Sequence, residues 1–281
     1  MVNSELKLFA NDIRKTLISA IAHKGGGHVG GTLSICDLIA VLYGRVMKYD
    51  PSNPDWEDRD YLVCSKGHAA PCIYSALALK GFFPMEWLDE LNRGGTHLPG
   101  HSDRNKVPGI DATTGSLGQG LSIACGIAHG LKVQNKNNRV FCIVGDGEND
   151  EGQIWEAAMY APNYELDNLI VFLDWNKKQI DGTNDEVMKL GNLENKYEAF
   201  GWNCETIQGN DVKCILETVE KYTGNKNGKP VMIILDTKKG AGISYIEDIE
   251  NNHCIGLPCE LADKCISELE QKRELIQKGD M

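Results

Sequence analysis

Three features of this 281-residue sequence predict an α/β fold, with a mostly parallel sheet and helices on both faces. The first is the stretch 139–182. It opens on Val140-Phe141-Cys142-Ile143-Val144, breaks at Gly145-Asp146-Gly147 and passes a helical-looking segment around Trp155 and Tyr160. It closes on Leu169-Ile170-Val171-Phe172-Leu173, followed by Asp174-Trp175-Asn176. Strand, tight turn, helix and strand in that order have the length of a βαβ unit, whose strands lie parallel and close together. The second feature is a pair of further buried-type strands, 61–64 and 230–236, each running straight into a loop with glycine. The third is size. The chain can bury a substantial core, and 1–281 reads as one domain.

Composition excludes several classes. A net charge of −11 argues against nucleic acid and anionic membranes as partners. No stretch is long and apolar enough to span a bilayer. Several of the ten cysteines (Cys64, Cys125 and Cys142 among them) sit in apolar runs, as reduced core thiols do. The likeness of 1–24 to an amphipathic helix, not a signal peptide, agrees with a reducing cytoplasm. His253, Cys254, Cys259 and Cys265 lack the close C-x-x-C pairing of a zinc site, so no metal is assigned there.

In chain order, the amphipathic helix runs into a loop where glycines flank His28 closely. That permissive backbone sets the ring either in a cleft or in solvent. Residues 32–47 read as an apolar helix. The strand 61–64 leads into Ser65-Lys66-Gly67-His68, a histidine where a strand ends and a helix begins. Residues 93–116 form a long connection rich in glycine and proline, and loops of that length are usually functional or disordered. It holds His97, read as solvated, and the pair Gly100-His101. The next helix carries Gly118, Ser122, Gly126 and Gly130 at every fourth position. Each interior glycine costs ~1 kcal/mol relative to alanine, so close approach by another helix must offset it, within the chain or across an intersubunit contact. Beyond the βαβ unit, 192–200 reads as helix, 202–207 as strand and 214–222 as helix. The last strand ends in Thr237-Lys238-Lys239-Gly240, whose lysines face either a bound phosphate or solvent. A charged helix from Cys259 closes the chain.

The ligand is narrowed by residue type. Asp146 and Asn176 both fall at the carboxyl edge of the sheet, where open α/β sheets bind ligands. Gly145 and Gly147 let the backbone approach a bound group and expose amides suited to phosphate. Asp146 is itself negative, and two like charges ~4 Å apart at a dielectric near 20 repel by roughly 4 kcal/mol. A cation between them removes the conflict. The Asp146 carboxylate, the Asn176 amide oxygen and a backbone carbonyl, that of Lys178, are hard oxygen ligands suited to Mg²⁺.

Gly145-Asp146-Gly147 with Asn176 after the next strand resembles the thiamine-diphosphate fingerprint. With Glu151-Gly152 and Ile180-Asp181-Gly182, the wording is similar to transketolase. The resemblance covers nearly the whole chain but only the amino-terminal, diphosphate-binding half of a full transketolase. It implies thiamine diphosphate and Mg²⁺ as cofactors, and transfer of a two-carbon ketol unit from a ketose phosphate to an aldose. It places His28 and His101 at the substrate and His68 at the diphosphate, makes all three candidates for proton transfer and hydroxyl contacts, and sets Gly115, Ser116 and Leu117 against a cofactor ring. Transketolases also carry a Trp-His-Gly, its histidine near the diphosphate, where this chain reads Asn252-His253-Cys254-Ile255-Gly256. Overlaid on the glycine, Ile255 falls at the histidine, so either a re-threaded loop lets His253 serve or the role is missing.

The resemblance further implies a second chain. In this family the glutamate that activates the aminopyrimidine lies on another domain, as do most groups holding the sugar phosphate. The expectation is the first subunit of a split transketolase, paired with a carboxy-terminal subunit carrying the pyrimidine-binding domain, in a heterotetramer of two such pairs. The alternatives are half of another thiamine enzyme, such as a deoxyxylulose-phosphate synthase relative, and a non-catalytic module binding a phosphorylated ligand.

Overall fold

The computed structural model describes residues 2–224 and 226–280. Met1, the first residue of the expected opening helix, lies outside them. The strands are β1 (Gly26–Gly27), β2 (Tyr61–Cys64), β3 (Val140–Gly145), β4 (Leu169–Trp175), β5 (Asn203–Gln208), β6 (Val231–Asp236) and β7 (Ile255–Gly256). The helices are α1 (Val2–Lys24), α2 (Gly30–Leu33), α3 (Cys36–Val41), α4 (Ala70–Leu79), α5 (Gln119–Val133) and α6 (Gly152–Asn163). They continue as α7 (Asn184–Val187), α8 (Leu193–Phe200), α9 (Val212–Thr223), α10 (Ser244–Glu247) and α11 (Cys259–Lys278).

Five strands form one sheet in the order β2-β3-β4-β6-β5. Every neighbouring pair in it is parallel, and β3 meets β4 in register from Val140 opposite Leu169 to Gly145 opposite Asp174. Alternation along the strands splits the core. Phe141, Ile143, Ile170 and Phe172 pack with α1, α3, α4, α9 and α11, while Cys142, Val144, Val171 and Leu173 pack with α5, α6 and α8. A sheet covered on both faces needs continuously apolar strands, and these runs supply them. Cys64, Cys125 and Cys142 are buried in these layers.

Two local expectations change. The helix expected over 32–47 is broken into α2, α3 and a π turn over Leu42–Val46. The break falls at Ser34, whose hydroxyl donates to Gly31 O at 3.0 Å and to Asp174 Oδ2 at 2.7 Å. A serine that bonds away from the helix ladder competes with it. The second change is β1 pairing antiparallel with β7, Gly27 opposite Ile255. Gly26 has φ +147°, and a Cβ there would lie 2.4 Å from Ile255 O, so the pairing requires glycine.

Candidate functional site

The carboxyl ends of β3 and β4 bring Asp146 and Asn176 to one edge. Asp146 Oδ1 accepts from Gly147 N at 2.8 Å, and Oδ2 accepts from Lys177 N at 2.6 Å and Asn184 Nδ2 at 2.9 Å. Lys177 reaches that bond with φ +67°, a left-handed conformation uncommon outside glycine. Asn176 donates Nδ2 to Asp174 Oδ2 at 2.9 Å, which fixes the amide so that Oδ1 faces outward, accepting only a 3.2 Å bond from Lys178 N. Lys178 O accepts from Lys239 Nζ at 2.8 Å. Burial, then the nearby Asp174 charge, pushes the Asp146 carboxyl up to about 6.

These groups line a cavity of about 320 Å³ that also receives His28, His68, His101 and His253. The His28 ring lies 5.3 Å from His68, 5.9 Å from His101 and 5.3 Å from His253, and His68 lies 5.1 Å from His253. The loop after α10 is therefore threaded so that His253 enters the cleft, while Ile255 and Gly256 are held in β7. Burial first, and then neighbouring cations and imidazoles, lowers the pKa of His28, of His68 (well below the usual value) and of His253 (to about 4). Burial in the cleft therefore favours the neutral form of these three rings. His253 Nδ1 is buried without a partner. Gly115, Leu117, Gly145 and Gly147 line the same cavity, whereas Ser116 is exposed beside it.

Two buried lysines complete the cleft, and their burial is not legible in sequence. Lys66 donates to Asp174 Oδ2 at 2.6 Å and to Gly31 O at 2.6 Å. Burial alone would raise the Asp174 carboxyl, but Lys66 and the hydroxyls of Ser34 and Thr237 hold it below the usual range. Lys238 is exposed and pairs with Glu247, whereas Lys239 is only 4% exposed and burial lowers it to about 8. Glu148, also unmarked in sequence, ties two strand ends to the start of α5: it accepts from Gly118 N at 2.8 Å, from Gly145 N at 2.9 Å and from Ser65 Oγ. A hydrogen-bonded carboxylate at a strand terminus is the one signal Glu148 offers, and sequence alone does not distinguish it from a helix-start acid.

Other expectations fall outside the cleft. His97 is exposed and stacks on Trp87 at 4.0 Å between centroids. Cys254 and Cys259 are exposed and Cys265 is buried, and among the described residues no cluster of metal-binding side chains forms. Gly118 caps α5 with φ +85°, and Cβ atoms at Gly126 and Gly130 would meet nothing within 4 Å. Packing within the chain therefore does not account for those two glycines.

The donors fit a divalent cation held against a diphosphate. The Oδ1 atoms of Asp146 and Asn176 and the Lys178 carbonyl are oxygen donors of the kind such a cation takes, with Lys239 beside them to balance phosphate charge, the Lys66 charge being paired already with Asp174. Comparison with known proteins gives the family. Residues 6–272 match the family described as transketolase, thiamine diphosphate binding domain. The 6-deoxy-6-sulfo-D-fructose transketolase subunit SqwG of Clostridium sp. (strain MSTE9) is 50% identical over 268 residues, covering 95% of this chain and 97% of its own. An apulose-4-phosphate transketolase subunit of Actinobacillus succinogenes is 40% identical, covering 86% of this chain and 88% of its own. The crystal structure of transketolase from Campylobacter jejuni superposes with a TM-score of 0.87 at 30% identity, covering 96% of this chain but 43% of that one.

Proposed function

This chain belongs to the transketolase family, and on that premise we propose that it is the diphosphate-binding subunit of a two-chain enzyme that moves a ketol unit from a ketose phosphate to an aldose. The observation that carries the reading is the convergence of histidines, the Asp146–Asn176 pair and two buried lysines on one cavity. Asp146, Asn176 and the Lys178 carbonyl would hold Mg²⁺, and Lys239 and His68 the diphosphate. Gly145 and Gly147 would bring backbone close to it, and Gly115 and Leu117, which line the same cavity, would stand at the ring. Thiamine diphosphate, when bound, supplies the carbanion chemistry that makes and breaks a carbon–carbon bond. His28 and His101 would contact sugar hydroxyls and exchange protons with them, and His253, 5.1 Å from His68, would stand with it near the diphosphate.

The partner's place is the outer face of α5 and α6. There Gly126 and Gly130 leave the backbone bare beside Ile123, Met159, Tyr160 and Tyr164, with Met159 54% exposed. Apolar exposure around a bare helix backbone suits a docked chain. A relative that carries the word subunit is matched over 97% of its length and a full transketolase over 43%, which supports pairing with a second chain. We propose that this second chain is a carboxy-terminal subunit, in two pairs per assembly. Ten free cysteines and an acidic surface suit the reducing cytoplasm, and no helix among the described residues is long and apolar enough to cross a membrane.

The reading is tested on the assembled complex with Mg²⁺ and thiamine diphosphate. Donors are ketose phosphates, with the 6-deoxy-6-sulfo-D-fructose and apulose-4-phosphate named for the relatives, set against pyruvate. Ketol transfer from an anionic ketose without pyruvate decarboxylation is expected. Decarboxylation of pyruvate without ketol transfer would make it half of a different thiamine enzyme. Alanine at His28 or His101 should lower kcat by roughly a hundredfold, the scale of general acid–base catalysis, with cofactor affinity nearly unchanged. Alanine at His68 should weaken cofactor affinity as well as turnover. Titration and steady-state kinetics at saturating cofactor separate the two classes.

A further inference from the structure

We infer that Asn252 is a positioning residue, clasping three backbone segments behind the cleft and so setting where His253 and Lys239 stand. Its side chain is fully buried, at 0% exposure. Nδ2 donates to Lys239 O at 2.9 Å and to Ile246 O at 3.0 Å. Its backbone carbonyl accepts from Gly30 N at 2.9 Å, and Gly240 N donates to Gly30 O at 3.0 Å. One residue thereby joins the Lys239 loop, the end of α10 and the loop that carries His28. The chain then passes at once into His253, whose ring stands 5.3 Å from His28.

The fit is specific to a planar amide. Two carbonyls converge on one nitrogen, and asparagine brings two N–H donors to them from a short stem. An aspartate of the same shape has no donor and would face both carbonyls with charge. Glycine on either side makes room. A Cβ at Gly30 would lie 2.5 Å from Asn252 O, and one at Gly240 2.8 Å from Asn252 Nδ2.

The inference rests on the transketolase reading only for the cofactor arm of its test. The first arm is amide hydrogen exchange on the whole chain alone, comparing wild type, Asn252→Asp and Gly30→Ala, which presses on the clasp from the opposite side. Asn11→Ala is the control, since it removes an equally buried amide that holds Leu269 O at 3.0 Å, far from the cleft. The clasp predicts faster exchange, by about tenfold or more, in 28–31, 238–243 and 252–254 for the first two variants, with β3 and β4 unchanged. Asn11→Ala should lower the melting temperature and leave those segments alone. The second arm is thiamine diphosphate affinity of the assembled complex, expected to fall by about tenfold in Asn252→Asp and Gly30→Ala, the scale seen when a residue that orients a ligand-binding group is lost. Wild-type exchange in a folded Asn252→Asp overturns the clasp. If that variant does not fold, wild-type exchange in Gly30→Ala overturns it, as does the same local loosening in Asn11→Ala. A wild-type complex that binds no thiamine diphosphate would defeat the functional reading, and the exchange arm would still decide the clasp.

Discussion

Replacing Asp146 with alanine is expected to abolish Mg²⁺-dependent cofactor binding while the fold survives. The carboxylate is 3% exposed and takes bonds from Gly147 N, Lys177 N and Asn184 Nδ2, so one face of Oδ1 is left for a cation. Loss of a group that merely orients a metal ligand costs about 10–100-fold, so loss of the ligand itself should exceed roughly a hundredfold. The orphaned amides of Gly147 and Lys177 lie at or near the cleft surface within reach of water, and only the Asn184 amide is left without a partner inside, so the core is spared. Calorimetric titration of the complex with thiamine diphosphate, with and without Mg²⁺, reads the effect. Affinity and metal dependence equal to wild type would remove Asp146 from the site. The same carboxylate gives a pH dependence. With its pKa pushed up to about 6, Mg²⁺ must displace a proton below that pH and none above it. Apparent Mg²⁺ affinity should therefore be flat above pH 6 and fall by about tenfold per unit below it.

The second large effect is expected at Gly126. A side chain there meets nothing within the chain, and glycine in a helix interior costs ~1 kcal/mol relative to alanine. Gly126→Trp should thus leave the isolated chain as stable as wild type or slightly more so. If α5 packs closely against the second subunit, the same indole blocks assembly, and the association constant should drop by at least about a hundredfold, as when a well-packed contact is lost. Thermal melting of the lone chain and sedimentation of the mixture give the two readings. Normal assembly of the variant would move the interface elsewhere. A destabilised lone chain would mean that this helix face is covered within the chain.

How much of this was legible in sequence depended on distance along the chain. Asp146 and Asn176 could be found because each ends an apolar run, and a parallel pair brings such ends together without further information. The histidine at 68 was marked in the same way by the end of β2. Lys239 was not, because its burial depends on Asn252, thirteen residues on, and on Gly30 at the other end of the molecule; without that clasp it reads as Lys238 does, a solvated lysine. His253 was ambiguous for a related reason. A linear overlay on Gly256 assumes that glycine belongs to the motif, whereas its place is set by pairing with Gly26. The broken helix at 32–47 was hidden because the residue that breaks it, Ser34, answers to Asp174, on a strand 140 positions away.

The central claim is that this chain holds the diphosphate end of the cofactor and lacks catalysis until a second chain completes the site. Turnover of purified chain with Mg²⁺, thiamine diphosphate, an anionic ketose donor and an aldose acceptor tests it, measured alone and after titration with the second subunit. The interface is expected to be of obligate size, roughly 2,000 Å² or more, so activity should rise from background and saturate at one partner per chain. Robust ketol transfer by the chain alone would contradict it.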